Sequence, residues 1–210
     1  MSNPTNTPIV LGITGGIGSG KSYISRLLND TFDIPVYDTD TNAKQLTATS
    51  PTIRKALQQL IGENVYKNDG SLNKTVLADY LFANDTHATQ VNAIIHPEVR
   101  LHFCQWVKRQ SVPVVAIESA ILFESGFNHL AHRIIYIDAP ESIRLQRAME
   151  RDGASAKKIQ ERMNRQQAQS YSQQAHYVLQ NHGTTDSQLT ELLRSIITEI
   201  YTISDTIKNQ

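Results

Sequence analysis

The chain has 210 residues, of which 40% are hydrophobic and 19% charged, with 20 basic residues matched by 20 acidic ones. That length suits one nucleotide-binding-sized domain with room for an inserted region, and the composition excludes an intrinsically disordered chain. A formal net charge of zero disfavours an electrostatic nucleic-acid binder, so a small-molecule partner is expected and the chain is read as a monomer or weak homo-oligomer.

The opening stretch "MSNPTNTP" is polar and has no basic n-region. No later apolar run approaches the roughly 18 residues needed to cross a bilayer, so a cytoplasmic protein without membrane contact is expected. Cys104 is the single cysteine. It cannot build an internal disulfide framework, and it reads as a small buried hydrophobe in a reducing compartment.

In chain order, short β-branched apolar runs at 9–14, 34–37, 112–117 and 133–138, with a weaker one at 177–179, predict buried parallel strands. Helical patterns at 22–29, 141–151 and 187–204 alternate with them, the last carrying Leu189, Leu192, Leu193, Ile196, Ile197 and Ile200 at helical spacing. This alternation predicts an α/β fold, a doubly wound parallel sheet of about five strands. About 70 residues separate the second strand from the third, where a βαβ crossover needs only about a dozen. Helical patterns at 51–60, 74–82 and 86–110 fill the gap, with a turn at Asn68-Asp69-Gly70-Ser71 and a helix restart expected at His96-Pro97. Residues 41–111 are therefore read as a helical insert, leaving 8–40, 112–140 and 175–210 for a nucleotide-binding core. A Gln-rich patch around 166–174 reads as solvated helix or loop.

Four of the chain's 10 glycines fall at Gly15, Gly16, Gly18 and Gly20, just ahead of Lys21 and Ser22. This is G-x-x-x-x-G-K-[ST], placed directly after an apolar strand and before a helix, the context the motif requires. Glycine leaves no Cβ in the way, so successive N–H groups can converge on phosphate oxygens, and the helix adds its positive N-terminal end. The expected phosphate-binding set is Gly16, Gly18, Ser19, Gly20, Lys21, Ser22 and the backbone of Tyr23. Lys21 reaches the β and γ phosphates and the Ser22 hydroxyl suits Mg²⁺. The site binds a nucleoside triphosphate such as ATP.

The acceptor is left open by a P-loop. Asp38 and Asp40 close the second strand in "VYDTD", at the strand end that lines the crevice of an open α/β sheet. A carboxylate beside a polyphosphate is costly unless it meets Mg²⁺, a cation or a proton-bearing nucleophile. Asp38 thus favours a hydroxyl acceptor whose proton it takes, the alternative being a turn that caps the next helix. Glu118, after the third apolar run, sits where P-loop proteins place an acidic residue near the metal; a structural pair is the alternative. After the fourth strand, Arg144, Arg147 and Arg151 stand at i, i+3 and i+7, followed by Lys157, Lys158, Arg162 and Arg165. A small helical hairpin at 141–170 bearing these cations suits a lid over the phosphates, against the alternative of a solvated charged face.

Together, "GITGGIGSGKS", "VYDTD" before a helical insert, "IIHPEVR", "ESAILFESG", "RLQRAMERDG" with "RMNRQ" downstream, and the late "YVLQNHG" resemble the dephospho-coenzyme A kinases. These have a nucleoside-monophosphate-kinase-like P-loop fold. The resemblance runs nearly end to end. It implies Mg²⁺-dependent transfer of the ATP γ-phosphoryl group to the ribose 3′-hydroxyl of dephospho-coenzyme A, the last step of coenzyme A biosynthesis. It also implies Asp38 as base, an acceptor-binding insert with His96, an acceptor contact at Leu122, and Arg147 reaching over the phosphates. Two positions depart from the pattern: Tyr23 stands where Thr is common, and His176 where Asp is common. Other P-loop kinases with a hydroxyl acceptor, of uridine, gluconate or shikimate type, are the nearest rival. A nucleotide-hydrolysing switch is more remote, since "NKTV" at Asn73 has Val76 where a guanine-reading motif needs Asp.

Overall fold

The β-branched runs form a single five-stranded sheet in the computed structural model, which describes residues 7–166 and 168–208. Residues 1–6 of the polar opening stretch, Gln167 of the Gln-rich patch and residues 209–210 lie outside the described residues. The strands are β1 (Ile9–Gly15), β2 (Val36–Asp38), β3 (Val114–Glu118), β4 (Arg133–Asp138) and β5 (Tyr177–Gln180), in the order β2-β3-β1-β4-β5. β1 pairs in parallel with β3 and with β4, and β4 with β5. From β1 the chain goes to the edge strand β2, returns inward to β3, and then crosses to β4 and β5 on the other side of β1. That reversal puts a topological switch point at the carboxyl end of β1, where ligands of open α/β sheets bind.

β1 is buried along its whole length, which explains its near-continuous apolar sequence. Ile9, Leu11 and Ile13, two apart and so on one face, pack with Ile24 and Leu28 of α1 (Lys21–Phe32) and with Leu189, Leu193, Ile197 and Ile200 of α8 (Asp186–Lys208). Each such burial is worth about 1.5–3 kcal/mol. The α8 ion pair Arg194–Glu191 leaves its side chains 58% and 82% exposed, and exposed pairs contribute at most about 1 kcal/mol. The apolar stripe therefore docks α8.

The chain divides into two compact units, Met1–Tyr37 with Arg109–Gln210, and Asp38–Lys108. The second is helical: α2 (Thr39–Thr49), α3 (Pro51–Ile61), α4 (Lys74–Ala83) and α5 (Asp85–Lys108). Ser50 caps α3 by accepting from Ile53 N at 3.3 Å, and Pro51 occupies the first turn, where its missing N–H has no consequence. Ile53, Leu57, Val65, Tyr66, Leu77 and Val91 form this unit's own core. The restart expected at His96-Pro97 does not occur, because α5 runs through with Pro97 inside it. Pro97 forfeits one backbone bond, but Val91 before it and Val99, Phe103 and Val107 after it are all buried, and their packing outweighs the missing bond.

In the first unit α6 (Glu141–Asp152) and α7 (Ala156–Arg165) form the helical hairpin expected after β4. Gly153, in the left-handed region at φ 61°, ends α6. Ala148, Ile159 and Met163 make its small core, with Ile17, Leu145 and Met149 packed against it. Arg151 beside it and Arg162 across the turn both bond Asp152, holding its carboxyl down at about 2.

Candidate active site

The loop between β1 and α1 is shaped by what presses on it. Gly18 and Gly20 take φ values of 77° and 98°, which side chains disfavour. A Cβ on Gly18 would run into the Arg144 carbonyl, and one on Gly20 into the Asn181 amide. The glycines thus let the loop lie against α6 and the turn after β5, leaving its other side to a ligand. Asn181, itself buried, donates from Nδ2 to Ser19 O at 2.7 Å and from its backbone to Asp138 O at 2.7 Å. Lys21 arches back over the loop, its Nζ donating to Gly15 O at 2.9 Å and Gly16 O at 3.1 Å.

Two buried polar atoms of this loop region, Ser19 Oγ and Arg147 Nη1, have no hydrogen-bond partner among the described residues. Arg147 Nη1 lies 3.8 Å from where a Gly20 Cβ would be. An unsatisfied buried donor costs about 1–3 kcal/mol and more when charged, and an oxyanion removes that cost. A glycine cradle, a helix N-terminus, Lys21 and an unpartnered arginine donor fit a polyphosphate.

At the next position the Ser22 hydroxyl donates to Glu118 Oε1 at 2.9 Å. Ser22 opens α1 and Glu118, buried, ends β3. A hydroxyl and a carboxylate beside a phosphate cradle are the oxygen donors a magnesium ion takes while keeping phosphate and water ligands. Tyr23 turns away: its ring packs on the sheet core, its backbone N–H is used by Gly20 O at 3.0 Å, and a hydrogen bond to Asp186 pushes its hydroxyl pKa up. Its side chain makes a structural contact to α8.

Asp38 ends β2 and caps α2. Its Oδ1 accepts from Asp40 N at 2.9 Å and Thr41 N at 3.1 Å, while Oδ2 accepts from Thr41 Oγ1 at 2.6 Å. The cap reading is therefore correct as far as it goes. A carboxylate has about four acceptor sites, so three bonds leave Asp38 capacity to accept a proton and fix the direction in which it does so. His96, half-buried on α5, has its pKa lowered by burial and then by Arg100, which keeps the ring neutral near pH 7. Leu122 is fully buried, and a Cβ on Gly12 would touch its Cδ2 at 3.0 Å; its side chain packs beneath β1.

The second departure has a structural answer. His176 Nδ1 accepts from Ile134 N at 3.1 Å, and its own N–H bonds Ile134 O, extending the parallel ladder past the start of β5. A carboxylate oxygen would accept the same N–H, so His and Asp are equivalent acceptors there. His132 does the same for Val10 N at 3.0 Å.

Three features are not singled out by the sequence, and a fourth, Arg144, which the sequence places among the lid cations, has contacts that it does not predict. Arg144 is buried, with Nε donating to Ala139 O at 3.1 Å and its guanidinium against Gly16. Asn181 anchors the loop from "YVLQNHG". Gln166, the last residue of "RMNRQ", reaches the P-loop: its Oε1 accepts from Ile17 N at 2.9 Å and its Nε2 donates to Ala120 O at 2.7 Å. A pocket of about 380 Å³ opens beyond the ends of β4 and β5, lined by Tyr136, Asp138, Pro140, Arg144, Gln180 and His182 among others. The motif strings containing three of these residues were legible, but the contacts that give them a role were not.

A parallel sheet with a P-loop at its switch point and cations on an adjoining helical hairpin defines a P-loop kinase fold. Three comparisons narrow this. The chain is 45% identical to the dephospho-CoA kinase of Porphyromonas gingivalis over 96% of both chains. The crystal structure of TT1252 from Thermus thermophilus superposes with a TM-score of 0.78 at 31% identity, covering 91% of this chain and 97% of that one. Dephospho-CoA kinase from Campylobacter jejuni shares the fold at a TM-score of 0.64 and 21% identity, over 91% of this chain and 96% of that one. The dephospho-CoA kinase family model matches residues 9–187, and the chain belongs to that family.

Proposed function

We propose that the chain transfers the γ-phosphoryl group of ATP to the ribose 3′-hydroxyl of dephospho-CoA, giving CoA and ADP, the final step of CoA biosynthesis. Family membership over nearly the whole chain carries this reading. The P-loop amides from Gly16 to Ser22 hold the phosphates, and Lys21 stabilises charge on the group in flight. Arg147, its Nη1 buried beside Gly20, binds phosphate oxygens. The pocket between Tyr136, Arg144 and His182 suits the donor's base.

Asp38 takes the proton of the acceptor hydroxyl as the bond to phosphorus forms. The bonds from Asp40, Thr41 and its hydroxyl hold the carboxylate for that step. His96 and the helical region 41–111 hold the acceptor, and neutral His96 can donate or accept without adding charge. Leu122, being buried, supports the acceptor side by packing. Mg²⁺ is held by Ser22 with Glu118 behind it, and when bound it neutralises phosphate charge. Residues 141–170 act as the lid. The protein works in the cytoplasm as a monomer or weak homo-oligomer.

The test is acceptor choice. Purified protein is given ATP, Mg²⁺ and, separately, dephospho-CoA, uridine, gluconate and shikimate, and kcat/KM is measured for each. Dephospho-CoA is expected to exceed the others by at least about 10³-fold, since a site built to bond polar acceptor groups rejects those lacking them. Comparable values for a sugar acid or nucleoside would transfer the assignment to that kinase type.

A further inference from the structure

The Gln-rich stretch after α7 reads as solvent-facing in the sequence, yet the Gln166 amide is built into the phosphate loop. Oε1 accepts the Ile17 backbone N–H at 2.9 Å, Nε2 donates to Ala120 O at 2.7 Å, and the same Nε2 lies 3.5 Å from Gly15 O. One side chain thereby joins three segments: the P-loop, the turn that follows Glu118 on β3, and the end of α7, which Gln166 caps. The stretch beyond α7 meets the turn after β3 again, because the Phe123 and Tyr171 rings stack with centroids 4.7 Å apart. Ile17 is also gripped through its side chain, which packs on the core of the α6–α7 hairpin with Leu145 and Met149. The residue at the centre of the P-loop is thus fixed to the hairpin twice, by backbone and by side chain. That hairpin carries Arg147.

We infer that Gln166 is a positioning residue for phosphoryl transfer, locking the Ile17 peptide to the α6–α7 hairpin so that the P-loop amides and Arg147 act on the phosphates in a fixed relation. The inference rests on the phosphoryl-transfer reading above. Gln166 uses both ends of its amide, and only a side chain that accepts at one atom and donates at the other serves Ile17 N and Ala120 O together. Without it, P-loop and hairpin are free to shift independently by up to about 1 Å. Displacements of that size can cost roughly 10²-fold in rate while leaving ground-state binding nearly intact.

Three variants separate this from a structural role. Gln166→Met keeps the volume and removes both bonds, Gln166→Ala removes both and the volume, and Gln166→Glu keeps an acceptor for Ile17 N but loses the donor at neutral pH. Melting temperature, ATP affinity and kcat are measured for each, together with hydrogen exchange at the Ile17 amide. Expected results are near-wild-type melting and ATP affinity, kcat reduced roughly 10- to 100-fold in the Met and Ala variants, and faster Ile17 exchange. The Glu variant should recover relative to wild type as pH falls towards about 5, because a protonated carboxyl regains the donor. Wild-type kcat in the Met variant, or a Glu variant whose ratio to wild type does not move with pH, overturns the inference. So does a fall in activity that follows the melting temperature alone. If the wild-type protein itself transfers no phosphate, the functional reading fails and Gln166 is judged by the exchange arm: unchanged Ile17 exchange in the Met variant then refutes the lock.

Discussion

Ser22 Oγ donates to Glu118 Oε1 at 2.9 Å, binding the first turn of the P-loop helix to the carboxyl end of β3, the strand beside β1. Glu118→Gln keeps an oxygen that can accept from Ser22 and keeps the packing, but it removes the charge. The variant should fold normally and need several-fold more Mg²⁺ for half-maximal activity, with much of the loss recovered at saturating metal. A magnesium titration of the transfer rate reads this directly, and an unchanged titration midpoint would return Glu118 to a structural pair.

Lys21→Ala should leave melting nearly unchanged, since Lys21 Nζ donates to the loop carbonyls Gly15 O and Gly16 O rather than packing in a core. Transfer should fall roughly 10²- to 10³-fold, as when one preorganised donor is removed from a transition state. A calorimetric ATP titration beside the rate assay shows whether binding or chemistry carries the loss, and turnover at the wild-type rate would remove the P-loop from the mechanism.

Much of this site was legible in the sequence because its determinants are local. Strand, glycines, Lys21 and Ser22 are contiguous, so the P-loop and its helix follow from one string. The five strands follow from β-branched runs, although Pro35 shortens the second: β2 begins at Val36, with the Pro35 carbonyl already accepting from Ala116 N at 2.8 Å. Contacts made across long stretches of chain were not legible. Gln166 and Ile17 are 149 residues apart, and Asn181 and Ser19 are 162 apart. Nothing in the composition of a Gln-rich patch marks one amide as bonded to a loop so distant. Pro97 misled for the opposite reason, because a strong local signal was overridden by packing on both sides of it.

Arg147→Ala removes a buried guanidinium nitrogen that has no partner among the described residues, so folding stability should hold or rise. If Arg147 serves the transition state, kcat should drop by at least about tenfold, and by more than ATP affinity does. Equal losses in binding and kcat/KM with kcat intact would mean that Arg147 acts on the bound ground state instead.

The two ladder histidines give the protein a mild acid sensitivity. His132 Nδ1 and His176 Nδ1 each accept a backbone N–H, which requires the ring nitrogen to be unprotonated, and burial is the leading cause that lowers both pKa values below the ordinary 6.5. The unfolded chain then binds protons first, so stability is lost as pH falls from about 6.5 towards the folded-state values and is fully present above that window. The slope should be shallow because solvent still reaches both side chains. Replacing both, His132→Asn and His176→Asn, supplies a non-titrating acceptor and should flatten the melting-temperature profile across this window; a profile as steep as the wild type's would place the sensitivity elsewhere.

Asp38→Asn separates base from cap. Asparagine caps a helix as well as aspartate does, so melting and the binding of both substrates should survive. It cannot take a proton, so transfer should fall roughly 10²- to 10⁴-fold. Near-normal turnover would leave Asp38 with only its capping bonds, and recovery at high Mg²⁺ would make it a metal-side residue.

The most direct test of the whole account is where the phosphate lands. The wild-type protein is incubated with ATP, Mg²⁺ and dephospho-CoA, and the product is examined by mass and by phosphorus–proton correlation NMR. The account predicts one added phosphoryl group, on the ribose 3′-hydroxyl, with one ADP formed per product. Phosphate released to water with dephospho-CoA unchanged, or attached at any other hydroxyl, would contradict it.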